Sequence, residues 1–228
     1  MSVATKTYSE AASRAALIEQ LPDATTLIMD GLSWKAYEEL LQAIGKNLHV
    51  RLSYADGRLH AMTVSAEHEK YVAFINQLLT VLKLRLRLNI LFFGSATMKK
   101  AAARKGLEPD ACFYVQRAAL IGKRIQLDFD QDPAPDIAVE VDVHHESQLK
   151  FPIYAALDVP ELWLYHNGAL AICLLEAGEY VAAPASRALP LLTGAILTEA
   201  LSRMVEEGEY EALVAFEEWV KAHSPEYL

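Results

Sequence analysis

The longest regular pattern in the chain is helical. From Ser65 to about Leu88, the residues Val72, Ile75, Leu78, Leu79, Leu82 and Leu86 recur at three-and-four spacing on one stripe. Lys83, Arg85 and Arg87 follow at its C-terminal end, where cations suit the negative end of the helix dipole. A shorter helix is predicted from Ser33, a suitable N-cap, to about Ile44, with Tyr37, Leu40, Leu41 and Ile44 on one face and Gly45 as its stop. Between these helices, His49–Tyr54 and Arg58–Met62 flank Ala55-Asp56-Gly57, and an Asp-Gly between alternating segments signals a hairpin.

Apolar runs at Ile90–Phe93 and Ala111–Val115 read as strands, with the basic segment between them a strand or loop. Ile137–Val143 gives the clearest strand: Ile137, Val139, Val141 and Val143 point one way, Ala138, Glu140 and Asp142 the other. A short helix is expected through Ile153–Leu157 with Pro152 near its start, and Pro160 leads into a strand at Leu162–Tyr165. Asn167-Gly168 turns that strand into Leu170–Leu175, a further strand follows near Tyr180–Ala182, and the pattern from Leu191 to Lys221 is helical. Residues 1–30 show little periodicity beyond a helix through Ala11–Gln20 and are read as a partly ordered N-terminal arm, leaving 31–228 as a single domain with C-terminal helices. The 228 residues and their 53% apolar fraction suit one well-buried core.

No run of eighteen uncharged apolar residues or signal-peptide core is seen, so no membrane partner and a cytoplasmic location are expected. Cys112 and Cys173 lie among apolar residues without CxxC spacing and read as buried thiols. The net charge of −9 argues against a polyanionic partner, but its distribution changes the picture. Residues 83–124 hold ten basic side chains against Glu108 and Asp110, a local +8 that leaves −17 for the rest. That strip reads either as solvated helix and loop charge or as a phosphate-facing surface in which Lys99, Lys100, Arg104 and Lys105 meet a nucleic-acid backbone.

Acids are depleted in strands and costly to bury, which makes Glu140 and Asp142 among valines informative. They either face water or join a second carboxylate, Asp110 at the head of its own strand, in an oxygen cluster of the kind that Mg²⁺ or Mn²⁺ requires. His144 and His145 follow that strand; adjacent histidines point to opposite sides of an extended chain, so they read as exposed loop residues rather than a zinc site. Tyr154, Trp163 and Tyr165 sit in apolar stretches and read as core rather than as a base-stacking platform.

The runs GSATMKKAAARKGLEPDACFYV (94–115) and PDIAVEVDVHHESQLKFPIYAALDVPELWLY (135–165), with DGRLHAM (56–62) and AEHEKYV (66–72), resemble the putative restriction endonuclease family, a branch of the PD-(D/E)XK nuclease superfamily, over roughly residues 31–220. The resemblance implies an α/β, restriction-endonuclease-like fold with a central mixed β-sheet flanked by helices and β-hairpins at the sheet edges. It also implies a metal-dependent endonuclease (Mg²⁺ or Mn²⁺) acting on nucleic acid, DNA first; a homodimer is expected because cutting both strands of a duplex is simplest with two symmetric sites. By position, Asp110 matches the aspartate of the PD half and Glu140 the acid of the (D/E)XK half, so both are expected to ligate the metal together with the backbone carbonyl of Val141. Asp142 stands where the usual lysine would be, and Lys150 matches the lysine that takes over its role of orienting water and offsetting charge. Glu69 matches the helical glutamate that assists the metal, with His68 as its competitor, and Asp142 either completes a second metal site or pairs with Lys150. A rival expectation is a catalytically degenerate domain that binds nucleic acid or a protein partner without cutting, and a second is a structural oligomer built on the apolar face of the C-terminal helix.

Overall fold

The computed structural model describes residues 9–45, 49–143 and 147–224. Two helices and a hairpin open the chain: α1 (Glu10–Glu19), strand β1 (Thr26–Met29), α2 (Trp34–Ile44), then β2 (Val50–Ala55) and β3 (Arg58–Thr63). The Ser33 hydroxyl accepts the Ala36 N–H at 3.1 Å and starts α2, as its sequence position suggested. Asp56 and Gly57 both carry positive φ, +52° and +82°, the left-handed pair that a two-residue hairpin needs. The long helix α3 (Ala66–Arg85) is capped by Ser65 and carries Glu67 and Glu69 in its first turn, Lys83 and Arg85 in its last.

After α3 come β4 (Leu91–Phe92), β5 (Met98–Lys100), β6 (Lys105–Leu107), β7 (Ala111–Tyr114), α4 (Ala118–Ile121) and β8 (Ile137–Asp142). A 3₁₀ turn at Ser147–Lys150 leads into α5 (Phe151–Ala156), then β9 (Glu161–His166), β10 (Ala169–Glu176), β11 (Glu179–Ala183), α6 (Gly194–Glu206) and α7 (Glu209–His223). The basic segment is thus a hairpin, β5 against β6. The C-terminal helical stretch is two helices, broken at Gly208, whose φ of +113° a helix cannot contain. No helix among the described residues is long and apolar enough to cross a membrane.

The strands form two sheets. The smaller, antiparallel one has the order β1-β3-β2-β6-β5; the larger has the order β11-β10-β9-β8-β7-β4 and is mixed, because β8 and β9 run parallel. This is the mixed, helix-flanked architecture expected, with one addition: the N-terminal segment supplies β1, paired along β3 from Thr26–Met62 to Met29–Leu59. Its helix α1 buries Ala15 and Ile18 in a core shared with Tyr37, Leu40, Leu52, Tyr54 and Leu59.

Alternation along β8 decides what each face does. Ile137, Val139 and Val141 enter the main core with Val72, Ile75 and Leu79 of α3 and with residues of α6 and α7. Ala138 faces the other way, toward Ile153, Tyr154 and Leu157 of α5. Every residue of β8 is buried, so Glu140 and Asp142 lie under the α5 side of the sheet and not in water. Cys112 and Cys173 are buried free thiols, and burial pushes the Cys112 thiol up to about 12.

Candidate active site

Asp110 lies at the joint between the sheets. The chain leaves the smaller sheet at Leu107, the Glu108 carboxylate accepts the Leu52 N–H at 2.9 Å, and three residues later β7 begins in the larger sheet. The Asp110 N–H donates to the Val139 carbonyl at 3.1 Å and the Val141 N–H donates back to Asp110 Oδ2 at 2.8 Å. This double link fixes the Asp110 carboxylate beside Glu140, one residue along β8. Both side chains are 1% exposed.

Glu140 has two partners on the far wall. Lys150, at the end of the 3₁₀ turn, puts its Nζ 2.7 Å from Oε2, and the Tyr154 hydroxyl, one turn on in α5, donates to Oε1. Placing a lysine ten residues beyond Glu140 and folding it back over the acid is what lets Lys150 stand where Asp142 leaves no ammonium. Asp142 is buried at the end of β8. Burial would strip Lys150 of its proton, but Glu140, Asp110 and Asp142 outweigh it and hold its pKa above the ordinary lysine value.

The smaller sheet supplies two more groups. Arg51 of β2 is buried, with Nη2 3.1 Å from Glu69 Oε1 and Nε 3.7 Å from Asp110 Oδ1. His68 is buried as well, its Nε2 3.0 Å from Asp110 Oδ2 but off the line of a well-formed hydrogen bond, and its Nδ1 3.5 Å from Glu69 Oε1. Arg51 and His68 therefore both bridge Asp110 to Glu69, which itself is half-exposed. Burial lowers the His68 pKa, yet the Asp110 and Glu69 carboxylates override it and bring it up to about 9. Burial likewise opposes the Asp110 charge, and His68, Lys150 and the Val141 N–H outweigh it, holding that carboxyl below its usual range.

Glu140 behaves in the opposite way. Burial, helped by the Asp110 charge, pushes its pKa up to about 7 against the pull of Lys150 and Tyr154. Desolvation is thus the larger influence on Glu140, even beside a lysine. Asp110 Oδ1 is buried without a hydrogen-bond donor, so one acceptor beside Glu140 is unfilled. A divalent cation held by Asp110 Oδ1 and Glu140 would satisfy both. Among the described residues no three His, Cys, Asp or Glu side chains are placed to hold a metal ion together. Two carboxylates are a donor set that suits Mg²⁺, which keeps several waters and takes one or two protein carboxylates.

Above this group opens a cleft of about 600 Å³. Its floor is the outward face of the smaller sheet, Ile28, Arg51, Ser53, His60 and Met62 among others, and its far wall is Leu149, Lys150 and Ile153. Arg51 and Lys150 are the two residues that line the cleft and also touch the carboxylates.

The four basic residues expected to meet a nucleic-acid backbone lie on the β5–β6 hairpin. Lys99 pairs with Glu38 at 2.6 Å and Lys100 pairs with Asp158, whereas Arg104 is exposed at the turn and Lys105 half-buried. His144 and His145 lie outside the described residues. Trp163 and Tyr165 are core, as expected; Tyr154 is buried too, but its hydroxyl belongs to the site. Arg51 escaped the sequence reading. Its one available signal, a cation alternating with Val50, Leu52 and Tyr54, also describes any exposed strand face.

The chain matches the family described as Uma2, putative restriction endonuclease, over residues 34–206. No curated protein matches the chain. The matched segment runs from α2 to the end of α6 and contains Arg51, His68, Asp110, Glu140 and Lys150.

Proposed function

The chain belongs to the Uma2 family of putative restriction endonucleases, a nuclease-type family, and we propose on that premise that it is a metal-dependent endonuclease hydrolysing phosphodiester bonds at Asp110, Glu140 and Lys150. One observation carries the reading: a buried Asp110 oxygen without a donor stands beside a Glu140 whose carboxyl resists ionisation, with Arg51 and Lys150 between them and a cleft.

Asp110 Oδ1 and Glu140, with the Val141 carbonyl, would hold Mg²⁺ or Mn²⁺. Such an ion, when bound, polarises a phosphoryl oxygen and acidifies a water. Val141 and His68 keep the Asp110 carboxylate ionised and oriented, so it remains an acceptor at neutral pH. Lys150 stays an ammonium because three acids surround it, and it faces the cleft where charge would build on a phosphate under attack. Arg51, fixed by Glu69, offers a second donor for a phosphate oxygen. Tyr154 locks the outer oxygen of Glu140, leaving the carboxylate one orientation. Glu69 acts through Arg51 and His68.

Lys150 at 2.7 Å from Glu140 favours retained chemistry over a degenerate binding domain, since the ammonium absent from position 142 is restored in space. The test is incubation of supercoiled plasmid, single-stranded DNA and RNA with the protein in Mg²⁺, Mn²⁺ or EDTA, with Glu140→Ala purified alongside. Metal-dependent cutting that the variant loses is expected. Equal cutting by both proteins, or none by either, sinks the proposal.

A further inference from the structure

The acids at Asp110 and Glu140 are 1% exposed, and Arg51 and Lys150, which touch them, line the cleft of about 600 Å³. That volume is in the range of about 300–1,000 Å³ that takes a small molecule or a nucleotide or two. A duplex is another matter: its phosphates lie on the outside of a stiff cylinder whose major groove alone is about 12 Å wide. Bringing one of them down to fully buried carboxylates would require the cleft walls to enter the duplex.

The chemistry of the walls points the same way. Large apolar side chains stand exposed on both sides, Ile28 of β1 at 50% and Leu149 of the 3₁₀ turn at 70%. Between and below them lie Arg51, Lys150 and His60, while the rim cation Arg58 is neutralised by Asp30 at 2.6 Å and Asp56 adds one acid. A surface that alternates apolar faces with a cationic floor does not match the charged exterior of a duplex, which offers phosphates without bare bases. It matches an unpaired nucleotide, whose base has two apolar faces and whose phosphate seeks cations.

We infer that the cleft admits single-stranded polynucleotide, with an unstacked base between Ile28 and Leu149 and its phosphate toward Arg51 and Lys150, and that intact duplex is excluded. This rests on the reading of Asp110 and Glu140 as the reacting centre. It assigns Ile28 and Leu149 a role in choosing the strand state of the substrate.

Binding is measured apart from cutting. The full-length protein, in Ca²⁺ in place of Mg²⁺, is titrated against a fluorescein-labelled 20-mer of mixed sequence as single-stranded DNA, as RNA and as blunt duplex DNA, with anisotropy as the readout. At least one single strand is expected to bind about tenfold or more tightly than the duplex, and Ile28→Ser with Leu149→Ser to remove about tenfold of that affinity, the scale of one aliphatic side chain buried against a base. The double variant should melt at the wild-type temperature, since both side chains are exposed. The DNA and RNA arms identify which sugar is preferred. Equal or tighter duplex binding, no binding by any probe, or no effect of the double variant overturns the inference. Single-strand binding without metal-dependent cutting would sink the nuclease reading and leave this one standing; cutting of duplex by a protein that binds duplex best would do the reverse.

Discussion

Tyr154→Phe isolates one hydrogen bond of the site without changing the shape of the core. The hydroxyl donates to Glu140 Oε1, the ring is fully buried, and phenylalanine fills the same space. With the hydroxyl gone, a buried carboxylate oxygen loses its donor. A hydrogen bond to a charged group contributes about 1.5–3 kcal/mol, against about 0.5–1.5 kcal/mol for a neutral one. Which value applies depends on whether Glu140 is ionised, and its pKa is pushed up to about 7 by burial. An acid raised in this way contributes stability that is complete below its unfolded-state pKa and is lost as pH rises through about 7. The variant pushes Glu140 higher still, so its deficit grows on the alkaline side. In EDTA at pH 8.5 the midpoint of thermal unfolding should fall by about 3–12 °C, from about 2–4 °C per kcal/mol for a chain of this size. At pH 5.5 the fall should be half of that or less. Melts followed by circular dichroism at the two pH values measure both numbers. A variant as stable as wild type at pH 8.5, or equally destabilised at both, would refute the view of Glu140 as a reluctant, hydrogen-bonded carboxyl.

Four further outcomes are expected. Mn²⁺ or Mg²⁺ at a hundredfold excess over its dissociation constant should stabilise the protein by about 2.7 kcal/mol. Asp110→Asn should abolish that shift in a thermal melt, and a shift that survives places the ion elsewhere. Lys150→Met should cut the rate of phosphodiester cleavage by about a hundredfold or more, the scale of losing one preorganised charge, and near-normal cleavage would remove Lys150 from the mechanism. His60 has its pKa lowered by burial and then by Arg58 and Lys150. Its contribution is therefore present above the ordinary imidazole pKa and lost as pH falls below it, so His60→Gln should flatten the decline in melting temperature between about pH 7 and 5. Gly194→Ala would set a Cβ 2.5 Å from the Leu170 carbonyl oxygen, where α6 starts against β10. A loss of about 1–3 kcal/mol in urea unfolding is expected from that overpacking, and a neutral result would mean that the helix start can shift.

Local chemistry determined much of this protein from the sequence alone. Ser33 and Ser65 cap the helices they precede, Asp56-Gly57 makes its hairpin, and the alternation of Ile137–Val143 assigns Glu140 and Asp142 to one face, because caps, turns and pleats depend on neighbours within a few residues. The family match, over residues 34–206, spans all of these but Ser33. Strand β1 was not legible: four residues, Thr26–Met29, carry too little pattern, and their strand state comes from pairing with β3. Nor could periodicity choose between water and burial for Glu140, since the chain turns back over it only through Lys150 and Tyr154, on the far side of a loop. Likewise Arg51 meets Asp110 across fifty-nine positions because β6 carries the chain from one sheet to the other just before Asp110. The sequence by itself singled out Asp110, Glu140 and Lys150 as candidates and put Glu140 and Asp142 on one face of their strand. Only the tertiary structure decided which of them share a site, because burial and charge pairing are set by distances that no local pattern contains.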